Sequence, residues 1–295
     1  MKDHQYITDM QALIPYNILR ATVTGRPHSV TQNWPIWPFT TIEKINTCLT
    51  DYAKESLVKY RNQSAQSNDP RPNLFDTIMG EKGQEAAVTE DELVSNAKLY
   101  LVAGTDTLAI TLTYLLWALL GNTHARARLL KDIELAGLPD KPTNDQLRSI
   151  SYLDHVIDET LRLHPVIVGP LPRVVPEGGR MLGGQFIPQD ITVNPFTYRL
   201  QRNSDLFPDP LTWNPDRWEC ATQEMKYSIY AFGGGSRVCM GRHLARMELR
   251  MAVFAFVRTF KDAELAYGVE GFSPGGMDIV ETIVAKPGAE KMLVR

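Results

Sequence analysis

A mainly α-helical protein with small β-sheets is what this chain predicts. A proline-free stretch opening at Thr89-Glu90-Asp91-Glu92 runs largely apolar to about Leu120, far beyond the length of a strand. Helical spacing returns at 122–138, from Ser151, and at 242–260, whereas the extended runs are short and broken by glycine and proline. The 295 residues, 43% hydrophobic and 22% charged, suffice for one large core or two smaller domains. A net charge of −3 gives no electrostatic case for binding nucleic acid. Three scattered cysteines, Cys48, Cys220 and Cys239, are too few for a disulfide framework and fit a reducing compartment. No arginine-rich presequence, cleavable signal or apolar span opens the chain at Met1-Lys2-Asp3-His4.

In order, residues 1–40 combine partly helical spacing at Ile7 to Leu19 with breaks at Thr24-Gly25-Arg26-Pro27 and Trp34-Pro35-Ile36-Trp37-Pro38. They read as loop-rich, mobile or covered by a partner. Thr41 to Arg61 reads as a helix, with Thr41 as N-cap and Ile42, Ile45, Leu49, Tyr52 and Ala53 on one side. Asn62 to Asn73, rich in Ser, Asn, Gln and Pro, reads as a solvated linker. Thr89-Glu90-Asp91-Glu92 is a capping box for the long helix. Leu99 to Leu120 is apolar enough for a membrane span, but Asp106 and the threonines at its centre favour a helix buried on all sides in a large core. Gly104 lies mid-helix within Ala103-Gly104-Thr105-Asp106-Thr107, where glycine costs about 1 kcal/mol relative to alanine. Such a glycine marks the close approach of another group or a local opening of the helix.

A helix from Asn122 to Leu138 ends at Gly137 and Pro139, and a short one occupies Thr143 to Ser149. Ser151 is read as the cap of the next helix, with Leu153, Val156, Ile157, Thr160 and Leu161 as its apolar face. Glu159 and Arg162, three apart, can join by charge-assisted hydrogen bonds. Val166 to Arg173 is an extended apolar run made irregular by Pro172 and Pro176. Met181 to Phe186 around Gly183-Gly184 reads as a hairpin, and Ile191 to Val193 as a short strand. Arg242 to Phe260 is a helix with Leu244, Met247, Leu249, Val253 and Phe256 mostly inward, and with Arg242, Arg246 and Arg250 forming a basic stripe. Residues 261–295 read as terminal β-hairpins.

The chemistry is concentrated at Phe232-Gly233-Gly234-Gly235-Ser236-Arg237-Val238-Cys239-Met240-Gly241. One cysteine follows a glycine run and precedes an apolar helix, so its thiolate can sit where backbone N–H groups favour negative charge. That is a way to hold a soft anionic metal ligand. The glycines let the main chain turn close under a flat ligand, Phe232 can cover one side, and Arg237 can reach a carboxylate. An inert buried cysteine and a zinc site using Cys239 and His243 are the competing readings; no paired C-x-x-C supports the second.

Phe232, Gly235, Arg237, Cys239 and Gly241 match the pattern F-x-x-G-x-R-x-C-x-G, and Ala103 to Thr107 match [AG]-G-x-[DE]-T. Glu159-Thr160-Leu161-Arg162-Leu163-His164-Pro165 and the later Pro215-Asp216-Arg217 complete four motifs in the order found in the cytochrome P450 superfamily, which the chain resembles from about Thr89 to Arg295. The wording Leu171-Pro172-Arg173-Val174-Val175-Pro176 is similar to fungal secondary-metabolism members. By this resemblance residues 1–295 are a single partial P450 domain, with 1–88 variable and 89–295 the haem-binding core.

The resemblance implies roles residue by residue. Cys239 becomes the axial thiolate of haem b iron, a ligand that favours O–O cleavage. Arg237 and Arg173 would pair with haem propionates, Phe232 would pack beside the sulfur, and Gly235, Gly241 and Gly104 would leave room for the cofactor. Asp106 and Thr107 would deliver protons during O2 activation. Glu159, Arg162 and Arg217 would hold the cysteine loop in place, and Ala103, Val168 and Leu171 would line the substrate pocket. The implied activity is a haem-thiolate monooxygenase that inserts one oxygen atom from O2 into a small apolar substrate in fungal secondary metabolism. Electrons would come from NADPH through NADPH-cytochrome P450 reductase docked near Arg242, Arg246 and Arg250. Family members are much longer, and this chain resembles their C-terminal half. A truncated product without activity, a repurposed non-oxidative catalyst and a binding protein therefore remain alternatives. The family implies the endoplasmic reticulum membrane; without an anchor of its own the chain would be cytoplasmic or peripheral.

Overall fold

A computed structural model describes residues 39–66, 88–280, 284–289 and 291–295. The expectations for residues 1–38 and 67–73 lie outside them. The chain divides into two compact units, Met1–Asp106 and Thr107–Arg295, and each is built on its own apolar contacts.

In the first unit, helix α1 (Phe39–Gln66) buries Phe39, Ile42, Ile45, Leu49, Ala53 and Leu57, a stripe at three- and four-residue spacing. Thr41 is not its N-cap. The helix starts two residues earlier because Phe39, 6% exposed, belongs to the same stripe. It also runs past Arg61 to Gln66, since no proline interrupts it there, so Asn62 to Gln66 are helical where a linker was expected. Helix α2 (Glu90–Gly121) opens as its capping box predicts. The Thr89 backbone N–H donates to Glu92 at 2.7 Å, and the Glu92 N–H donates to Thr89 Oγ1 at 3.3 Å. Ala53 and Leu57 pack with Leu93, Val94 and Ala97, and Arg61 clasps Glu90 in a two-bond fork at 2.9 and 2.7 Å.

The expectation that α2 is buried on all sides is not met. Leu99 is 56% exposed and Ala103 and Gly104 are exposed, between a buried start at Leu93, Val94 and Ala97 and a buried end at Tyr114, Leu115 and Leu119. By length and composition the helix could cross a membrane.

The second unit is built on one large apolar cluster, with smaller ones at Tyr114, Phe272 and Met277 and at Phe207, Trp218 and Met225. Helix α3 (Thr123–Ala136), capped by Asn122, contributes Ala125, Leu129 and Ile133, and the short α4 (Asn144–Arg148) contributes Leu147. Helix α5 (Ser151–Leu163) contributes Leu153, Val156, Ile157 and Leu161. Ser151 does not cap it: the N-cap position falls on Ile150, which makes no side-chain cap bond, and Asp154 is held by Arg250. Small elements follow, namely α6 (Thr197–Leu200), a 3₁₀ helix at Pro215–Cys220, and α7 (Gln223–Ser228). The core closes with α8 (Arg242–Thr259), which brings Leu249, Val253, Phe254 and Val257. Each such side chain contributes about 1.5–3 kcal/mol on burial. Leu244, expected inward, is 51% exposed because it lies in the first turn, before α8 enters the core.

The sheets are small and antiparallel. β1 (Arg173–Val174) pairs with β4 (Thr192–Val193), and β2 (Arg180–Leu182) pairs with β3 (Gln185–Ile187) through the Gly183–Gly184 turn, both glycines at positive φ. The expected terminal hairpins are reduced to β5 (Ile279–Val280) against β6 (Lys286–Pro287) and a bridge from Leu265 to Val294. Two 3₁₀ turns, Val269–Gly271 and Pro274–Met277, take the space that longer strands would need.

Candidate functional site

The segment from Tyr230 to Gly241 turns sharply between α7 and α8. Gly233 and Gly235 adopt φ of 69° and 63°, a region that side-chain-bearing residues rarely enter, and the Cys239 N–H donates back to the Phe232 carbonyl at 2.8 Å. The Gly233 N–H donates to the Tyr230 carbonyl at 2.9 Å. A Cβ on Gly234 would lie 2.6 Å from the Tyr230 ring, so this ring and this backbone approach as closely as glycine allows. Cys239 is exposed, three residues ahead of α8, and Arg237 is exposed with no hydrogen bond or ion pair among the described residues. Phe232 is half-buried against the core, with the Arg246 guanidinium 5.9 Å from its ring centre. His243 bonds Arg242 rather than Cys239, and no group of three metal-ligating side chains occurs among the described residues, so zinc finds no site there.

The same unit holds a buried charge cluster. Glu159 and Arg162, one helical turn apart near the end of α5, are both 0% exposed. Arg162 spends all five N–H donors: Nε and Nη2 on Glu159 at 2.9 and 2.8 Å, the remaining Nη2 hydrogen on the Thr212 carbonyl, and Nη1 on the carbonyls of Gln201 and Pro210. Glu159 also accepts from Arg217 Nε at 3.1 Å, from the Asn214 N–H at 2.8 Å and from Trp218 Nε1 at 3.1 Å. The expected trio is therefore brought together. Asn214, Trp218 and Gln201 are the members that sequence reasoning missed; of these only Asn214 and Trp218 neighbour a motif residue.

The basic stripe is largely neutralised. Arg246 pairs with Asp158, and Arg250, 8% exposed, donates to Asp154 at 2.9 Å and to Asn144 at 3.1 Å. Burial raises the Asp158 carboxyl above its usual range, against the opposing pull of Arg246, and burial lowers the His155 imidazole. A cleft of about 580 Å³ separates Phe232 and Val238 of the loop from His155 and Asp158 of α5, with Arg242 and Arg246 on its α8 wall.

The other expected residues are scattered. Val168 is 3% exposed and Leu171 half-buried, while Arg173 donates to the carbonyls of Leu171 and Pro172. Thr107 is half-buried, and its carbonyl accepts from Thr111 Oγ1 at 2.8 Å. Ala103, Gly104 and Asp106 fall in the first unit and Cys239 in the second.

A glycine-turned loop presenting one cysteine, in the same unit as a buried Glu-Arg-Arg cluster, agrees with the match of residues 2–265 to the family model described as Cytochrome P450. The chain belongs to the cytochrome P450 family. Among curated P450 relatives it is 37% identical over 292 residues to cytochrome P450 monooxygenase tazI of Aspergillus terreus, covering 98% of this chain and 59% of that one. Over 261 residues it is 34% identical to cytochrome P450 monooxygenase orf2 of Aspergillus niger, covering 88% and 52%. Pisatin demethylase of Fusarium vanettenii is 32% identical over 231 residues, 75% of this chain and 44% of the relative. The chain spans about half the length of the curated P450s it matches.

The residues present suit the cofactor that the family implies. The exposed Cys239 thiol offers a soft donor on a turn whose Gly233 and Gly235 stand at positive φ, and the exposed Arg237 offers a guanidinium to a carboxylate.

Proposed function

We propose that this chain carries the haem-binding part of a monooxygenase, with Cys239 as the axial thiolate. One observation supports this most: an exposed thiol on a glycine turn whose Cys239 N–H is bonded back to the Phe232 carbonyl, two residues after the exposed Arg237. Haem b, when bound, supplies O2 activation and the transfer of one oxygen atom to a substrate. Cys239 provides the anionic sulfur, Phe232 keeps water from one side of it, and Gly235, Gly241 and Gly104 leave space for the flat ring. Arg237 and Arg173 orient the propionates. Thr107 holds a proton at its Oγ1 and Asp106 replenishes it, a general-acid relay.

On this reading Ala103, Val168 and Leu171 are the residues assigned to a small apolar substrate. Relatives named as fungal monooxygenases support a place in secondary metabolism. NADPH-cytochrome P450 reductase is the electron donor of this reading, at the endoplasmic reticulum membrane. With Arg246 and Arg250 held by aspartates, Arg242 is the stripe member that offers its charge to an acidic donor surface.

The test is reconstitution of the purified full chain with haem, followed by reduction under carbon monoxide. Wild type is expected to give the difference band of a thiolate-ligated haem, and Cys239→Ala to lose it. A wild-type chain without that band, or a variant that keeps it, overturns the assignment and leaves an inactive or non-oxidative protein.

A further inference from the structure

Gln201 is 0% exposed, stands in none of the four motifs, and is bonded at every polar atom of its side chain. Its Nε2 donates to the carbonyls of Leu161 at 2.9 Å and Arg162 at 2.7 Å. These are among the last carbonyls of α5, which have no partner within the helix. Its Oε1 accepts the Tyr230 N–H at 2.7 Å, and its backbone carbonyl accepts Arg162 Nη1 at 2.8 Å. Donors on one side and an acceptor on the other fix the amide orientation without ambiguity. One residue further, Arg202 donates to the Leu163 carbonyl, so two neighbouring side chains close the end of α5.

Tyr230 then carries the constraint forward. Its carbonyl accepts the Gly233 N–H, its ring lies against Gly234, and two residues beyond Tyr230 the Phe232 carbonyl accepts the Cys239 N–H. The path from the buried guanidinium to the cysteine thus runs through hydrogen bonds whose heavy-atom lengths are 2.7–2.9 Å. Neither Glu159, Arg162 nor Arg217 is recorded bonding to the loop; Gln201 is the link that bonds both Arg162 and Tyr230.

We propose that Gln201 is a positioning residue which transmits the fixed end of α5 to the cysteine loop, and thereby sets where the Cys239 sulfur stands. Its importance to a cofactor rests on reading Cys239 as the haem ligand; its mechanical role does not. Removing it frees the Tyr230 amide, leaves two helix-end carbonyls without a donor, and lets the loop open while the core of α5 stays closed.

The experiment uses the full chain without cofactor and compares Gln201→Met, which keeps the volume and removes both functions, with Gln201→Glu, which keeps an acceptor for Tyr230 and removes the donors. A core variant, Leu147→Ala, supplies general destabilisation at a buried residue outside the bonded path from α5 to the loop. Hydrogen exchange in Gln201→Met is expected to speed up roughly tenfold at Tyr230, Gly233 and Cys239. Cys239 alkylation should accelerate in parallel, while Val156 and Ile157 amides change no more than in Leu147→Ala. Gln201→Glu should retain protection at Tyr230 if it folds, and should serve as the measured variant if Gln201→Met does not. Equal acceleration throughout α5 and the loop, or unchanged Cys239 reactivity in both folded variants, overturns the proposal. After haem loading, Gln201→Met should show a smaller thiolate-ligated fraction in the reduced CO form. A wild-type chain that takes no haem would defeat the functional reading alone, because the exchange and alkylation results stand without it.

Discussion

The carboxylate of Glu159 and the thiol of Cys239 meet opposite surroundings within one unit. Glu159 has no exposed surface and accepts from Arg162, Arg217, Asn214 and Trp218, so its charge is compensated at each oxygen. Cys239 is exposed, and its recorded bonds are made by its backbone. Burying charge raises the cost of any lost partner, whereas a reactive sulfur needs access. The comparison teaches that stability and chemistry are assigned to different residues, joined by a short bonded path through Gln201.

The strongest way to break that division is Arg162→Ala. It takes from the buried Glu159 its two hydrogen bonds to Arg162, leaving Arg217 as the cation beside it, and strands the carbonyls of Gln201 and Pro210, so a loss of about 3–5 kcal/mol is expected. Urea unfolding of the full chain measures it. A midpoint close to wild type would show that the cluster is not the frame. Cys239→Ala sharpens the contrast from the other side, since replacement of an exposed thiol should move that midpoint by no more than about 0.5 kcal/mol.

Acid sensitivity gives an intermediate effect. His164 stacks on Tyr114 with ring centres 4.6 Å apart, has an unpartnered Nδ1, and is pushed down to about 3 by burial, with Arg202 and Arg162 adding to the depression. Its folded form stays neutral while the unfolded form takes up a proton below the usual imidazole value of about 6.5. Its contribution is thus complete above that value and fades as pH falls towards 3, by at most about 1.4 kcal/mol per pH unit. His164→Phe should flatten the stability profile between those limits; an unchanged slope would assign the acid limb to other groups.

The smallest effect on stability is expected for Thr107→Ala, about 0.5 kcal/mol. Haem content should hold while product formation falls and hydrogen peroxide release rises in a reconstituted assay. Loss of haem in this variant, with an Arg162 variant that stays fully loaded and merely uncouples, would exchange the roles assigned to the two regions.

Legibility from sequence followed the range of the interactions. The capping box at Thr89 and Glu92, the apolar stripes of α1, α5 and α8, and the Glu159–Arg162 pair are local patterns and were readable. Thr41 and Ser151 misled because a capping residue type was read without knowing that Phe39 is buried or where the neighbouring turn falls. The uniform apolarity of α2 gave no direction, so its exposed section could not be told from its buried one. Gln201 left no trace: an isolated glutamine in a polar stretch becomes significant only when residues 161, 162 and 230 are brought to it.

The order of the cluster's members along the chain has a consequence for biosynthesis. Glu159 and Arg162 can pair within one turn as soon as α5 forms, but the Asn214, Arg217 and Trp218 contacts span 55, 58 and 59 residues. Until that segment closes, the carboxylate has only its helical neighbour and water, so early docking of 201–218 is favoured once it leaves the ribosome. Residues 232–241 are translated afterwards. The cysteine loop thus emerges onto a frame already complete, and a chain stalled before Trp218 would present α5 with its charge unresolved to chaperones and proteases.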